Sequence, residues 1–272
     1  MNNVGIVGFG FVGKAVGQLS TVTDLYIYDP NNKEYSSVEQ KIKTYNSDII
    51  FINVPTNLKN GQLDLSIINE CLFSYRAHNV NKNSTIVIKS TIPVGTCREL
   101  STKHCLSNLV FNPEFLSERT AMQDFINEKE LYLAGPKQHT KKVKDLYSKF
   151  YDHHNNGLDI FQTESWEEIE LLKLARNTFY GIKVSYCNHL YNLCENIGID
   201  YSKFREHFAR GEWVGQQHTM VPGPDKKFGY GGKCLPKDSI ELLNCCKKEG
   251  IIFEMLEKSI DFNALQRSKK YE

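Results

Sequence analysis

A ten-residue segment near the C-terminal end of the chain, GYGGKCLPKD at 229–238, combines three glycines with one cysteine. The glycines let the backbone come close to a ligand because they carry no Cβ. Cys234 lies near Lys237, and a nearby cation favours the thiolate, which is the nucleophilic form. Pro236 suits the first turn of a helix, so Cys234 is predicted to lie just outside a helix N-terminus, where the dipole also favours a negative sulfur. A glycine-rich turn with a buried structural cysteine is the alternative.

The opening residues contain a second glycine motif. Residues 4–13, VGIVGFGFVG, form a short apolar run that leads into G-x-G-x-x-G, with Gly8, Gly10 and Gly13 as its glycines. Apolar residues at helical spacing follow the motif. A strand, a glycine turn and a helix in this order are typical of a dinucleotide site, in which the pyrophosphate lies at the helix N-terminus.

An acidic residue follows at the distance that such sites require. The apolar residues 25–28 predict a second strand, and Asp29 follows it, 21 residues after Gly8. A carboxylate there suits the adenosine ribose diol and repels a 2′-phosphate, so it predicts NAD rather than NADP. Lys33 follows closely and could weaken that preference, which leaves NADP as an alternative.

Composition excludes several classes of protein. With 272 residues and a formal net charge of +1, the chain can form one large or two ordinary domains, and it has no dense basic block that would predict a nucleic-acid partner. The first strand is predicted to start almost at Met1, which predicts no signal sequence, and no apolar stretch approaches a membrane span. The eight cysteines form no C-x-x-C pair, which predicts a reducing, cytoplasmic compartment. The histidines lack zinc-ligand spacing, so no metal is predicted.

The first part of the chain alternates short apolar runs with helical segments. Strands are predicted at 4–8, 25–28, 49–53, 85–89, 109–111, 131–134 and 158–161, and helices at 12–20, 65–78, 96–103 and 141–151. This alternation predicts an α/β domain at 1–163, a doubly wound Rossmann-type parallel sheet that binds ligands beyond the carboxyl ends of its strands. Three polar segments fall at such ends, namely VPT at 54–56, STIPVG at 90–95 and NPEFL at 112–116.

The second part predicts an all-α central domain at 164–272. A capping box at Ser165–Glu168 opens a helical pattern that runs to Asn196 through Gly181, a span of about 45 Å that could form a dimer surface. A helix is predicted at 201–209, followed by a long loop with six glycines at 210–235 and by helices at 238–249 and 252–269. A loop of that length in a compact domain is typically functional or disordered.

Six segments of the chain resemble the UDP-glucose/GDP-mannose dehydrogenase family in the family's order. They are GIVGFGFVGKAVG, NVPT, KSTIPVGT, NPEFLSE, KLARNTFYGIKVSYCNHL and GYGGKCLPKD. The resemblance implies a nicotinamide-binding Rossmann domain followed by a helical central domain. It also implies oxidation of the C6 alcohol of a nucleotide sugar to a carboxylate with two NAD, most readily UDP-glucose to UDP-glucuronate.

The resemblance assigns catalytic roles to six residues. Cys234 would trap the aldehyde as a thiohemiacetal, which the second hydride transfer converts to a thioester. Lys173 and Asn177, at i and i+4 of the long helix, would stabilise the substrate oxygen, with Lys173 also accepting the alcohol proton. Asp238 would order a water or Lys173. Glu114 would activate the hydrolytic water, with Thr91 close to it.

The resemblance also implies two sets of binding residues. Lys173 and Asn177 alternatively fit solvated helix positions. Glu114 and Glu118 alternatively fit surface carboxylates, and Thr91 a cap or a turn. The cofactor set is Gly8, Gly10, Phe11, Val12, Gly13, Asp29, Val54, Pro55, Thr56, Ser90, Thr91, Glu118 and Lys237. The substrate set is Glu114, Phe115, Leu116, Lys173, Asn177, His218, Phe228, Tyr230 and Gly231. His218 stands where the family often has an arginine, and a plain loop histidine is the alternative.

Members of the family usually continue into a second Rossmann-like domain that covers the substrate nucleotide. Its absence from this sequence predicts a high substrate KM or a site that a partner chain completes, since binding energy from the remote nucleotide positions the reacting carbon. Two other functions stay open. One is a two-electron β-hydroxyacid dehydrogenase of the 6-phosphogluconate or hydroxyisobutyrate type, which needs no nucleophilic cysteine. The other is a non-catalytic NAD-binding paralogue.

Overall fold

The computed structural model describes residues 3–81, 83–154 and 157–268. The chain divides into two compact units, of which the first comprises residues 1–57 and 63–173 and the second residues 58–62 and 174–272. This division falls inside a long helix and reflects compactness alone. The domain limits 1–163 and 164–272 therefore stay a prediction.

The first unit contains a seven-stranded sheet in the order β2-β1-β3-β6-β7-β8-β9. The order reverses at β1, the place where doubly wound sheets open a ligand crevice. Its pairs are parallel except β7 with β8, which meet in antiparallel fashion at Phe111 and Ala134, so the predicted sheet is confirmed with this one correction. The strands are β1 (Val4–Val7), β2 (Leu25–Tyr28), β3 (Ile49–Ile52), β6 (Thr85–Ile88), β7 (Leu109–Phe111), β8 (Glu130–Ala134) and β9 (Asp159–Thr163).

Helices cover both faces of this sheet, and each face has its own apolar cluster. On β3, Ile49 and Phe51 belong to one cluster, whereas Ile50 and Ile52 belong to the other, as the alternation of side chains along a strand requires. The helices are α1 (Phe11–Val16), which continues as a 3-10 turn (Gly17–Thr21), α2 (Val38–Tyr45), α3 (Ser66–His78), α4 (Thr96–Lys103), α5 (Ala121–Ile126) and α6 (Lys137–His153). Helices α2 and α5 are absent from the sequence prediction.

The second unit is built on α7 (Trp166–Ile197), which enters it from the first unit, together with α8 (Tyr201–Phe208), α9 (Leu235–Lys248) and α10 (Glu254–Ser268). The central region is helical, as predicted. The unit also takes in residues 58–62, from a hairpin that the sequence did not predict, formed by β4 (Leu58–Lys59) and β5 (Gln62–Leu63). The Asn244 amide holds the hairpin by donating to the Gly61 carbonyl at 2.8 Å.

The start and middle of α7 follow from particular residues. The Ser165 hydroxyl accepts the Glu168 N–H at 3.3 Å, as a cap does, but the Ser165 N–H donates to Thr163 Oγ1, so the predicted capping box forms only in half. Gly181 lies within the helix, where a Cβ would be 3.3 Å from Ser239 Oγ and equally close to an aromatic ring. The glycine that lowers helix propensity here allows close packing.

Candidate functional site

The glycine turn after β1 has the geometry that its sequence predicts. Gly8 has a φ of +83°, which favours glycine. A Cβ on Gly13 would overlap the Gly8 carbonyl oxygen, whereas nothing lies within 4 Å of a Cβ on Gly10. Gly13 is therefore required by the turn itself, and Gly10 leaves open space at the start of α1. That space, beside main-chain N–H groups, could hold the pyrophosphate of a dinucleotide.

Asp29 ties the end of β2 to this turn. Its carboxylate accepts the Phe9 N–H at 2.8 Å and the Asn31 N–H at 2.9 Å. A carboxylate offers about four acceptor positions, so these two bonds leave capacity for the hydroxyls of a ribose. The structure thus places the predicted acid beside the predicted phosphate turn.

The structure also brings together two of the strand-end segments. The Ser90 hydroxyl donates to the Val54 carbonyl at 2.6 Å, and the Thr56 hydroxyl donates to the Thr91 carbonyl at 2.7 Å. These bonds link the ends of β3 and β6 beyond the sheet, where ligands of doubly wound folds bind. Of the other predicted cofactor residues, Glu118 is exposed, on the segment after β7.

Lys173 and Glu114 form a buried pair in the first unit. The Lys173 side chain is 2% exposed, and its ammonium donates to the Glu114 carbonyl and lies 3.6 Å from the Glu114 carboxylate. It also lies 4.9 Å from the ring centre of Phe115, and the other Glu114 carboxylate oxygen accepts the Leu116 N–H at 2.6 Å. The predicted substrate residues at 114–116 and Lys173 are therefore assembled. A buried amine beside a carboxylate can take up and release a proton.

The second unit holds Cys234 in the predicted place. It is the half-buried N-cap of α9, with Pro236 in the first turn. Asp238 is fully buried, and its carboxylate accepts the Asn177 amide at 2.5 Å and the Lys237 ammonium at 2.6 Å. Lys237, expected to favour the thiolate, thus forms an ion pair. Asp238 orients the amide of Asn177 within this unit.

The glycine-rich segment before Cys234 packs against α10. A Cβ on Gly229 would overlap the Asn263 side chain, and one on Gly231 would overlap Arg267. The Asn263 amide also exchanges hydrogen bonds with the main chain of Tyr230, at 2.6 and 3.0 Å. Two of the three glycines therefore have a packing reason of their own. Gly232 alone of the three has open space around it.

The aromatic and histidine residues of the predicted substrate set lie in different surroundings. Tyr230 is buried, and Phe228 packs edge-on against Tyr191 with ring centres 5.0 Å apart. His218 has a φ of +63° and stacks on Tyr180 at 4.4 Å, and its buried Nδ1 has no hydrogen-bond partner in the described part of the chain. Burial, together with the charge of Lys183, lowers the pKa of His218. A buried polar atom without a partner is uncommon in folded proteins.

Two buried charged residues near these segments were missed by sequence reasoning. Lys89, directly after β6, donates to Asn112 Oδ1 at 2.9 Å, and burial lowers its pKa to about 8. Glu170 on α7 accepts the N–H groups of Gly95 and Cys97 at 2.6 and 2.8 Å, and burial raises its pKa. The available signal was a lysine ending the apolar run TIVIK, which sequence reasoning counted as part of a strand.

The described residues contain neither a metal-binding cluster nor a membrane-spanning helix. Among them, no group of three or more histidine, cysteine, aspartate or glutamate side chains could hold a metal ion. In the same residues, no helix combines the length and the apolar character of a membrane span.

Two family models match the chain. The NAD binding domain of the UDP-glucose/GDP-mannose dehydrogenase family matches residues 29–151, and the central domain of that family matches residues 167–265. Among curated proteins, the UDP-glucose 6-dehydrogenase TuaD of Bacillus subtilis is 32% identical over 231 residues, which cover 81% of this chain and 47% of that protein. The chain spans about half the length of the curated relatives it matches.

Solved structures share the fold. A UDP-glucose dehydrogenase from the archaeon Pyrobaculum islandicum has a TM-score of 0.82 at 21% identity, over 97% of this chain and 68% of that chain. The 3-hydroxyisobutyrate dehydrogenase of Mycobacterium tuberculosis has a TM-score of 0.76 at 14% identity, over 97% and 93% of the two chains. At these identities the likeness concerns the fold alone.

The strand order, the glycine turn and the acid after β2 define a dinucleotide-binding α/β unit followed by a helical one. The chain belongs to the UDP-glucose/GDP-mannose dehydrogenase family, since models of both of that family's domains match it. The resemblance predicted from six segments is thereby confirmed, and the predicted cofactor, NAD, is that of the family's N-terminal domain.

Proposed function

We propose that this chain is an NAD-dependent nucleotide-sugar 6-dehydrogenase that oxidises UDP-glucose to UDP-glucuronate. The observation that supports this most directly is Cys234, a half-buried thiol at the N-cap of α9. A helix N-terminus stabilises negative charge, as a thiolate nucleophile requires. Two curated proteins that are 32% identical to this chain are UDP-glucose 6-dehydrogenases.

The overall reaction converts the C6 alcohol, two NAD⁺ and water into a carboxylate, two NADH and three protons. When bound, NAD⁺ supplies the acceptor for each hydride. Lys173, as the neutral amine that remains after it has given a proton to solvent, takes the hydroxyl proton during the first oxidation, which gives the aldehyde. The Cys234 sulfur then adds to the aldehyde carbon to form a thiohemiacetal, and its oxidation gives a thioester. Water activated by Glu114 breaks the carbon–sulfur bond and releases the acid and the thiol.

The remaining catalytic roles are part of the same proposal. Asn177 donates to the substrate oxygen where negative charge develops. Asp238 supports this role because it accepts one amide hydrogen of Asn177 and so fixes the orientation of the amide, leaving the second hydrogen for the substrate. To Thr91, three residues beyond β6, the proposal assigns a contact with the attacking water.

The proposal also includes one set of residues that contact the cofactor and one set that contact the substrate. The cofactor contacts proposed are Gly8, Gly10, Phe11, Val12, Gly13, Asp29, Val54, Pro55, Thr56, Ser90, Thr91, Glu118 and Lys237. The substrate contacts proposed are Glu114, Phe115, Leu116, Lys173, Asn177, His218, Phe228, Tyr230 and Gly231. Within the second set, Lys173, Glu114 and Phe115 support the proposal because they are in contact with one another.

We also propose that the enzyme is a homodimer formed through α7. Phe179, Tyr186 and Leu193 are spaced seven residues apart on this helix and are 62%, 54% and 53% exposed. Seven-residue spacing of apolar side chains is the pattern by which two long helices pack together. A reducing, cytoplasmic compartment is proposed as well, and all eight cysteines are present as thiols.

The experiment that tests the proposal compares Cys234→Ala with Cys246→Ala, a second half-buried cysteine on α9. Each protein is incubated with NAD and a panel of UDP- and GDP-sugars, and the acid product is quantified by mass spectrometry. Cys234→Ala should lose acid formation by at least a hundredfold and keep its affinity for NAD, whereas Cys246→Ala should act like the wild type. Undiminished acid formation by Cys234→Ala would contradict the proposal.

A second candidate function is a two-electron β-hydroxyacid dehydrogenase. The fold allows it, because a 3-hydroxyisobutyrate dehydrogenase shares the fold. Such an enzyme would release one NADH per substrate and would not depend on Cys234. The non-catalytic paralogue differs from both, since it would bind NAD without reducing it.

A further inference from the structure

Lys89 is the first residue after β6, and only 3% of its surface is exposed. Its ammonium donates to the Asn112 carbonyl at 3.2 Å, to Asn112 Oδ1 at 2.9 Å and to the Tyr147 hydroxyl at 3.5 Å. The Tyr147 hydroxyl donates to the same Oδ1 at 2.8 Å. In the described structure, these hydrogen-bond partners are all neutral oxygens.

These bonds form where the main-chain ladder between β6 and β7 stops. The last paired residues are Ile88 and Phe111, and the Asn112 N–H still donates to the Ile88 carbonyl at 2.9 Å. The next carbonyl, that of Asn112, is taken by the Lys89 side chain instead of a main-chain N–H. The Lys89 N–H is itself used by the Ile52 carbonyl on the other side, at 3.0 Å. The ammonium therefore takes the place of a main-chain N–H donor at the end of the sheet.

A buried cation in this place is energetically unfavourable, so Lys89 must provide a benefit that offsets the cost. Burying an ammonium among neutral groups costs free energy, and an apolar side chain of similar length would avoid that cost. The apolar chain would, however, leave the Asn112 carbonyl without this donor. The benefit of Lys89 therefore lies in holding Asn112.

Asn112 leads directly into the proposed catalytic segment. Pro113 follows it, and the next residue is Glu114. The carbonyl oxygen of Glu114 accepts a hydrogen bond from the Lys173 ammonium. A displacement at Asn112 would thus be passed through one rigid proline to both Glu114 and Lys173. Even a small misplacement of reacting groups lowers the rate strongly.

We propose that Lys89 is a positioning residue for the reaction, which acts by holding Asn112 and so setting the place of Glu114 and Lys173. This inference rests on the proposed dehydrogenase function. It assigns to Lys89 no contact with the substrate or the cofactor.

The test compares Lys89→Met with Lys149→Met. Lys149 is a matched control, because its ammonium also donates to a main-chain carbonyl of the first unit, that of Val22, at 2.5 Å. Steady-state kinetics give kcat and KM, fluorescence titration gives the NAD dissociation constant, and hydrogen exchange reports the amides of 114–117. Lys89→Met should lower kcat at least tenfold, leave the NAD dissociation constant within twofold and speed exchange at Leu116, whose N–H is bonded to Glu114. Lys149→Met should change none of these.

Two results would overturn the inference. One is a Lys89→Met enzyme with wild-type kcat and wild-type exchange at 114–117. The other is faster exchange throughout the first unit together with weaker NAD binding, which would make Lys89 a general structural residue. Should Lys89→Met not fold, Tyr147→Phe removes one hydroxyl of the same network and should lower kcat about threefold in the same pattern, and an unchanged kcat would again count against the inference.

Failure of the proposed function can be told apart from failure of this inference. A wild-type protein that forms no NADH with any nucleotide sugar would reject the function. Hydrogen exchange would still show whether Lys89 holds the segment 112–117, since that measurement needs no turnover.

Discussion

Lys89 and Lys173 are two buried lysines of the first unit whose surroundings differ. Lys173 lies 3.6 Å from the Glu114 carboxylate, so its charge has an opposite charge beside it. Lys89 donates to neutral oxygens, and burial is the largest cause that lowers its pKa to about 8. The more distant Glu114 and Glu128 raise this pKa, and Lys173 lowers it further.

The lowered pKa predicts how stability depends on pH. Between pH 8 and 10.5 the unfolded chain keeps the Lys89 proton while the folded chain loses it, so the free energy of unfolding rises with pH. Across this window the rise should amount to about 3 kcal/mol relative to Lys89→Met, since one pKa unit corresponds to about 1.4 kcal/mol. Urea unfolding of both proteins at several pH values measures the difference.

The comparison with Lys89→Met removes the other titrations, because Glu114, Glu128, Lys173 and Tyr147 are present in both proteins. A difference between the two proteins that stays constant from pH 8 to 10.5 would show that Lys89 titrates normally. A wild-type free energy of unfolding that falls relative to that of Lys89→Met as pH rises would contradict the lowered pKa.

At the residue scale, the sequence could predict those features that depend on residues close by in the chain. Cys234 was placed at a helix N-terminus because Pro236 marks the first turn, and the structure confirms it. The role of Lys89 could not be predicted, because its partners Asn112 and Tyr147 are 23 and 58 positions away. The sequence also could not show that Gly229 and Gly231 make room for α10.

At the element scale, the glycine turn contains two glycines with different roles. Gly13 is required by the turn itself, whereas Gly10 leaves space for a ligand. Gly10→Ala adds a Cβ in open space, so it should leave stability unchanged and weaken NAD binding at least tenfold by occupying the place of the pyrophosphate. Gly13→Ala meets the Gly8 carbonyl oxygen, so it should lower the melting temperature as well. Calorimetry of the unfolding and of NAD binding measures both effects.

The control for this pair is Gly157→Ala, another position where a Cβ would meet nothing within 4 Å. It should change neither stability nor NAD affinity appreciably. If Gly10→Ala bound NAD as tightly as the wild type does, the pyrophosphate would lie elsewhere.

The exposed face of α7 makes a prediction about assembly. Phe179→Lys with Tyr186→Lys should convert the proposed dimer to a monomer, since two charges would replace two of the three exposed side chains that are spaced seven residues apart on α7. Phe73→Lys on α3, where the aromatic ring is 57% exposed, is the matched control and should not change the mass. Light scattering after size-exclusion chromatography gives the mass of each protein. A wild-type monomer, or a double variant that stays dimeric, would contradict this interface.

Elements were predicted well where they were long and periodic. The long helix was predicted from 165 to 196 and observed at Trp166–Ile197. The six-residue α5 and the two-residue strands of the hairpin are too short for periodicity to appear. Helix α2 had a usable signal that was overlooked, a complete capping box between Ser37 and Gln40.

At the scale of the whole molecule, the alternation of strands and helices was enough to predict the α/β class. The antiparallel contact of β7 with β8 was not predictable, because strand direction depends on how a connection crosses the sheet and not on the residues of the strand. The fold likewise leaves the chemistry open, since it is shared with a 3-hydroxyisobutyrate dehydrogenase. The choice between one and two oxidations therefore depends on Cys234.

The most direct test of the account is the number of NADH molecules formed per nucleotide sugar consumed. A limiting amount of UDP-glucose is incubated with excess NAD until absorbance at the NADH band stops rising, and the residual sugar nucleotide is measured by chromatography. Oxidation through a thioester on Cys234 predicts two NADH for each UDP-glucose. A ratio of one, with an aldehyde or ketone as the final product, would contradict it.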